Sequence, residues 1–105
     1  MASGILGQSA PAATTNTTVY TVPASTVAVV NISVVNRGGS AATVRVALAA
    51  GSTPSDSEYI EYNTSVGSTS VLERTGVVLD ATKKVVVHSS SADTSVSVYG
   101  LESAA

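Results

Sequence analysis

His88 is the only histidine of this 105-residue chain and directly follows Val85-Val86-Val87. An imidazole there could serve as a general base or metal ligand. With no cysteine and no second histidine, though, the chain has no second imidazole or thiolate to share a metal. Its place after an apolar run favours an ordinary edge or interface residue. Asp56, Glu58 and Glu61 gather three carboxylates in one short segment, but without the ligand spacing of a calcium loop. A glycosidase pair would also need a cleft lined with aromatic rings, and Tyr59 and Tyr62 alone are too few to argue for one. A solvated acidic face is therefore the favoured reading. Serine is so abundant that a Ser-His-Asp set can be chosen by count alone, and no G-x-S-x-G elbow supports it. No glycine-rich loop leads into a helix to cradle a phosphate. The expectation is a protein that is not an enzyme, with no catalytic residues, no metal and no cofactor.

Composition narrows the partners. The net charge is −2, and the five basic residues are scattered as Arg37, Arg45, Arg74, Lys83 and Lys84. That distribution does not form the basic stripe that nucleic acid phosphates require, so no nucleic acid partner is expected. No apolar stretch is long enough to span a bilayer, so no membrane is expected either. The N-terminal segment lacks the basic region and continuous apolar core of a secretion signal, which suggests a protein kept where it is made. Every Asp, Glu, Lys and Arg lies between Arg37 and Glu102, leaving residues 1–36 uncharged. Such an arm is poorly suited to remaining free in water, since disordered tails are usually rich in charge.

The elements that would position these residues are strands. There are four Tyr but no Phe or Trp, so the core must be built from Val, Ile, Leu and Ala, and β-branched residues suit a pleated surface. The clearest stretch is Ser25 to Ala50, read as two long strands joined by a tight turn. Ala28, Val30, Ile32 and Val34 form one row, and Val44, Val46 and Leu48 form its match. Between them, Gly38 and Gly39 are expected to supply the positive φ values of a short hairpin.

Further strands are expected at Thr18 to Val22, Glu58 to Thr64, Val71 to Leu79, Val85 to His88 and Ser95 to Leu101, with Gly76 as a bulge. Val85 to His88, apolar on both faces, suits a central or interface strand. Turn signals recur every 8 to 12 residues, the spacing of a sandwich or barrel. The fold expected is a single-domain, all-β antiparallel sandwich of seven or eight strands, jelly-roll or Greek-key like, spanning 19–105, with an extended N-terminal arm over 1–18. A small closed barrel is the alternative. Val27 to Val35 and Val85 to His88 carry more apolar surface than one thin sandwich needs, so self-association or docking on a larger surface is expected to cover it.

The opening I-L-G-Q-S-A-P-A-A-T-T-N-T-T-V-Y-T-V-P-A, then V-V-N-I-S-V-V-N-R-G, A-T-V-R-V-A-L-A, E-Y-I-E-Y and the closing V-S-V-Y-G-L-E resemble a family of small virion structural proteins of tailed bacteriophages. The likeness runs through nearly the whole chain in order. It implies a non-enzymatic, oligomeric component of the virion, assembled in the bacterial cytoplasm. One station is a capsid decoration or cement protein, a homotrimer bound to the major capsid protein. The alternative is a tail- or fibre-associated module bound to another virion protein. Gly4 to Pro23 would be the attachment arm and Asn36 to Ser40 a partner-facing tip. The implied partner-binding residues are Ile5, Leu6, Gln8, Pro11, Tyr20 and Arg37.

Overall fold

The computed structural model describes residues 2–105, and among these the chain forms eight strands with one short 3-10 turn. They are β1 (Ser3–Ser9), β2 (Thr17–Thr21), β3 (Thr26–Asn36), β4 (Ala42–Ala49), β5 (Tyr59–Val66), β6 (Val71–Leu79), β7 (Lys84–Ser89) and β8 (Thr94–Ala104), the turn being Asp56–Glu58. Two four-stranded antiparallel sheets result, ordered β1-β8-β3-β6 and β2-β7-β4-β5. The all-β expectation and a two-sheet, sandwich-like architecture are what the chain adopts.

Alternation explains how the sheets meet. On β3, Thr26, Ala28, Val30, Ile32, Val34 and Asn36 are buried, while the intervening residues face outward. Their counterparts on the second sheet are Val44, Val46, Val85 and Val87, and β8 adds Val96 and Val98. Each buried Val contributes roughly 1.5–3 kcal/mol relative to exposure, so this core of small side chains depends on many close contacts. β7 is internal to its sheet, as its two-sided apolar pattern suggested. Val87 and Val85 face the core, while Val86 lies on the outer face, covered by Ala47, Ala49 and Tyr59. The chain therefore covers β7 by itself.

The hairpin expected between residues 25 and 50 is not present. β3 pairs with β6 and β8, whereas β4 pairs with β5 and β7, so the two valine rows face each other across the core instead of lying side by side. Gly38 and Gly39 do not take positive φ; among the described residues the glycines that do are Gly4, Gly76 and Gly100. The cause is Asn36, fully buried at the end of β3. Its Nδ2 donates to the carbonyls of Ser40 (2.8 Å) and Val66 (3.0 Å), and its Oδ1 accepts from the Gly38 amide (2.9 Å). Those bonds turn the chain from the first sheet into the second and tie it to the end of β5. Two sheets packed face to face can accommodate the same apolar periodicity as a two-stranded hairpin.

Two glycines are required by geometry. Gly76 sits at φ +66 where the β3–β6 register slips between Val30 and Ile32, and its amide bonds Asn31 Oδ1 (3.2 Å), which makes it the bulge expected there. Gly100, in register with Val30, lies so near β3 that a Cβ would run into the Val29 carbonyl oxygen.

Residues 1–18, expected as an extended arm, contain β1 and the first two residues of β2. β1 is extended, but it lies along β8 as an edge strand, with Leu6 packed against the core. In this structure it is part of the sandwich. The sequence hid this pairing because Gly, Ser and Gln dilute the period-2 signal between Ile5 and Leu6.

Replacing Asn36 with Ala leaves the buried Val66 carbonyl, the Ser40 carbonyl and the Gly38 amide without their partner. Urea denaturation of Asn36→Ala is expected to show a loss of about 2–4 kcal/mol. A change below about 0.5 kcal/mol, the size of an ordinary surface substitution, would contradict the fastening role.

Candidate functional site

The two outer faces of the sandwich differ in chemistry. On the β1-β8-β3-β6 sheet Leu101, Val29 and Val78 are in register across β8, β3 and β6, while Ser3 faces Leu101 on β1 and Ile5 lies in the adjacent row opposite Tyr99, so an apolar belt crosses three strands and reaches β1 on the diagonal. Its members are open to solvent: Ile5 67%, Leu101 61%, Val29 45% and Val78 63%. Val35 and Val71, also exposed and paired, extend it along the sheet. Among the described residues in these outward rows, Glu73 opposite Ser33 is the charged one. A belt of this extent is characteristic of an interaction surface.

The β2-β7-β4-β5 sheet presents Arg45, His88, Lys84 and two tyrosines instead. Arg45 and His88 are register partners, and His88 is half-buried on this face. Strict alternation along β5 would separate Tyr59 from Tyr62. Two register slips opposite Val44–Ala47, with Asn63 at φ +51, break the alternation and bring the rings together. Their centroids are 5.0 Å apart, edge to face, and the Arg45 guanidinium stacks 4.4 Å from the Tyr62 centroid. Arg45 Nε also donates to Asn63 Oδ1 (2.7 Å). Asp56, Tyr59 and Tyr62 together line a hollow of about 430 Å3. Periodicity could not have revealed it; an Asn in mid-strand, tolerant of left-handed backbone, was the available signal.

The three clustered carboxylates separate into different roles. Glu58 accepts the amides of Ser55 (2.9 Å) and Ala50 (3.0 Å), which holds its carboxyl below the usual range and fixes the 3-10 turn. Glu61 pairs with Arg74, linking edge strand β5 to edge strand β6 of the other sheet. Asp56 alone lines the hollow. Among the described residues no group of three His, Cys, Asp or Glu side chains is placed to hold a metal ion, and no helix is long and apolar enough to cross a membrane.

The six residues implied as partner-binding fall in different places. Ile5 is in the apolar belt. Leu6 packs against the core, Pro11 is buried in the β1–β2 connection, and Tyr20 is buried on β2. Gln8 is exposed and donates to Ser97 Oγ (3.2 Å). Arg37, exposed at the β3–β4 crossing, donates from its side chain to the Ala92 carbonyl (3.3 Å) and from its amide to the Asp93 carbonyl (2.7 Å). No family model matches the chain, and neither a curated protein nor a solved structure does.

Tyr20 and Glu102 close the side of the sandwich opposite to the Glu61–Arg74 pair. The Tyr20 hydroxyl donates to Glu102 Oε2 (2.6 Å), and the Ala2 amide donates to Oε1 (3.2 Å). Tyr20's hydrogen bond, then that of Ala2, holds the Glu102 carboxyl below its ordinary value. Burial first, then Glu102, pushes the Tyr20 phenol well above its own. A lowered carboxyl adds stability above the unfolded value of about 4.3 and loses it as pH falls through the folded value. A raised phenol adds stability below about pH 10 and loses it as pH rises through the folded value. Tyr20→Phe should therefore melt below the parent between about pH 5 and 9, with the difference shrinking in acid and in strong alkali. A pH-independent difference would contradict the pairing.

Proposed function

We propose that the protein is a non-enzymatic structural component of a tailed bacteriophage particle, a capsid decoration or cement protein that binds the major capsid shell as a homotrimer. The apolar belt carries this reading. On the second sheet the chain covers Val86 with its own Tyr59, whereas Val29, Val78 and Leu101 are left exposed among the described residues. An uncharged belt of β-branched and aliphatic side chains suits a second copy of the same surface better than a charged ligand. In this proposal the belt joins copies of the chain, and the edge strand β1, whose Ile5 forms the end of the belt, faces the shell.

The strand order β1-β8-β3-β6 against β2-β7-β4-β5 supports the finer reading of the sandwich as a jelly roll, an architecture found in viral capsid proteins and in lectins. Fold alone does not assign function, so the belt is the weightier argument. A second reading, a tail- or fibre-associated module, is favoured by one observation: the concave tyrosine-lined hollow on the opposite face, which a shell-binding role does not require.

Antibody labelling of the phage that encodes this chain separates the readings. Decoration predicts many copies on heads, retained on heads without tails. A few copies lost together with the tail would establish the second reading, and particles without label would overturn both. On the molecular side, Leu101→Asp places a charge in the belt at a position 61% exposed. The variant should keep the parent's β circular-dichroism spectrum while sedimenting as a single chain and failing to co-sediment with heads. Full occupancy by the variant would remove the belt from the account.

A further inference from the structure

The hollow beside Asp56 is shaped by two tyrosine rings that packing and stacking position. Tyr59 is seated on Ala47, Ala49 and Val86. Tyr62 is held edge-on by Tyr59 and covered on one side by Arg45, whose own position is set by Asn63. Glu58 fixes the turn that carries Asp56 by accepting the Ser55 and Ala50 amides. Among the described residues no hydrogen bond occupies the Asp56 side chain, which is exposed at the rim. Two rings and a carboxylate thus line an open hollow of about 430 Å3, with the Arg45 guanidinium stacked on one of the rings, a volume in the range of small-molecule sites. Rings ordered before binding reduce the entropy lost on binding.

We propose that this hollow is a saccharide-binding site that takes the ring of a neutral hexopyranoside. The apolar C–H face of a sugar ring can pack on a tyrosine face. Its hydroxyls can donate to the Asp56 carboxylate and accept from the phenols and from guanidinium N–H groups not used on Asn63. Charge selects among ligands. A bare pair of tyrosines beside a carboxylate would suit a quaternary ammonium group, but Arg45 already lies on Tyr62 and opposes a second cation. Asp56 in turn opposes an anion. A neutral polyhydroxylated ring that both donates and accepts hydrogen bonds satisfies both groups. The proposal rests on the hollow alone and is independent of where on a particle the protein resides.

The test titrates the 15N-labelled full chain with methyl α-D-glucopyranoside, methyl β-D-galactopyranoside and methyl α-D-mannopyranoside, with choline chloride and inorganic phosphate as cationic and anionic comparisons. At least one glycoside should shift the amides of Asp56 to Asn63 saturably, with a millimolar dissociation constant. Tyr62 is 57% exposed, so Tyr62→Ala should leave the rest of the amide spectrum in place and weaken binding at least about tenfold. Asp56→Ala, also at the surface, should weaken it several-fold without moving the tyrosine rings. The proposal is overturned if none of the three glycosides gives saturable shifts at these amides. It is equally overturned if choline or phosphate binds there instead, or if glycoside binding persists undiminished in Tyr62→Ala.

Discussion

Asn36 is the point on which the arrangement of the two sheets depends. The amide of one fully buried side chain satisfies the Ser40 and Val66 carbonyls and the Gly38 amide, so the chain leaves β3 and enters the facing sheet without stranding a polar group. Valine is too small to bridge a wide gap, so a core of Val with no Phe or Trp holds only if the sheets lie close over their whole area. Polar links keep them so. Asn36 acts at one end, Glu61 with Arg74 along one open side, and Tyr20 with Glu102 along the other. Each joins groups from opposite sheets, which neither ladder could do alone.

With the interior settled, function depends on the difference between the two outer faces. On the β2-β7-β4-β5 side the chain completes its own burial: Tyr59 covers Val86, Arg45 covers Tyr62, and the polar residues left over shape the hollow. The β1-β8-β3-β6 side is the reverse, with Leu101, Val29 and Val78 in register across three strands, Ile5 on the diagonal at the fourth, and little charge among them. One face has discrete polar chemistry suited to a small ligand. The other has area suited to a protein surface, and the proposed structural, oligomeric role rests on that area.

Much of this was legible in the sequence, though not all for the reason it first suggested. The rows Ala28-Val30-Ile32-Val34 and Val44-Val46-Leu48 announce core strands, and Gly76 announces a bulge. Pairing was misread because period-2 alternation records which face is buried, not which neighbour supplies the hydrogen bonds. Asn36-Arg37-Gly38-Gly39 looks like a hairpin turn, and only the buried environment of Asn36 makes it a crossing between sheets. β1 was hidden by its glycines and polar residues. The hollow was hidden by two slips in β5, since a bulge moves side chains to a face that simple alternation denies them. The surplus of apolar strand surface was anticipated on Val27 to Val35 and on Val85 to His88. Val29 and Val35 of the first are open, Val86 of the second is covered internally, and Val78 and Leu101 extend the open surface beyond the strands anticipated.

If further copies of this chain cover the apolar belt, sedimentation equilibrium of the purified parent protein over a wide concentration range will give a mass of three chains that dissociates only on strong dilution. A mass of one chain throughout the range, with the belt stably exposed to water, would contradict it.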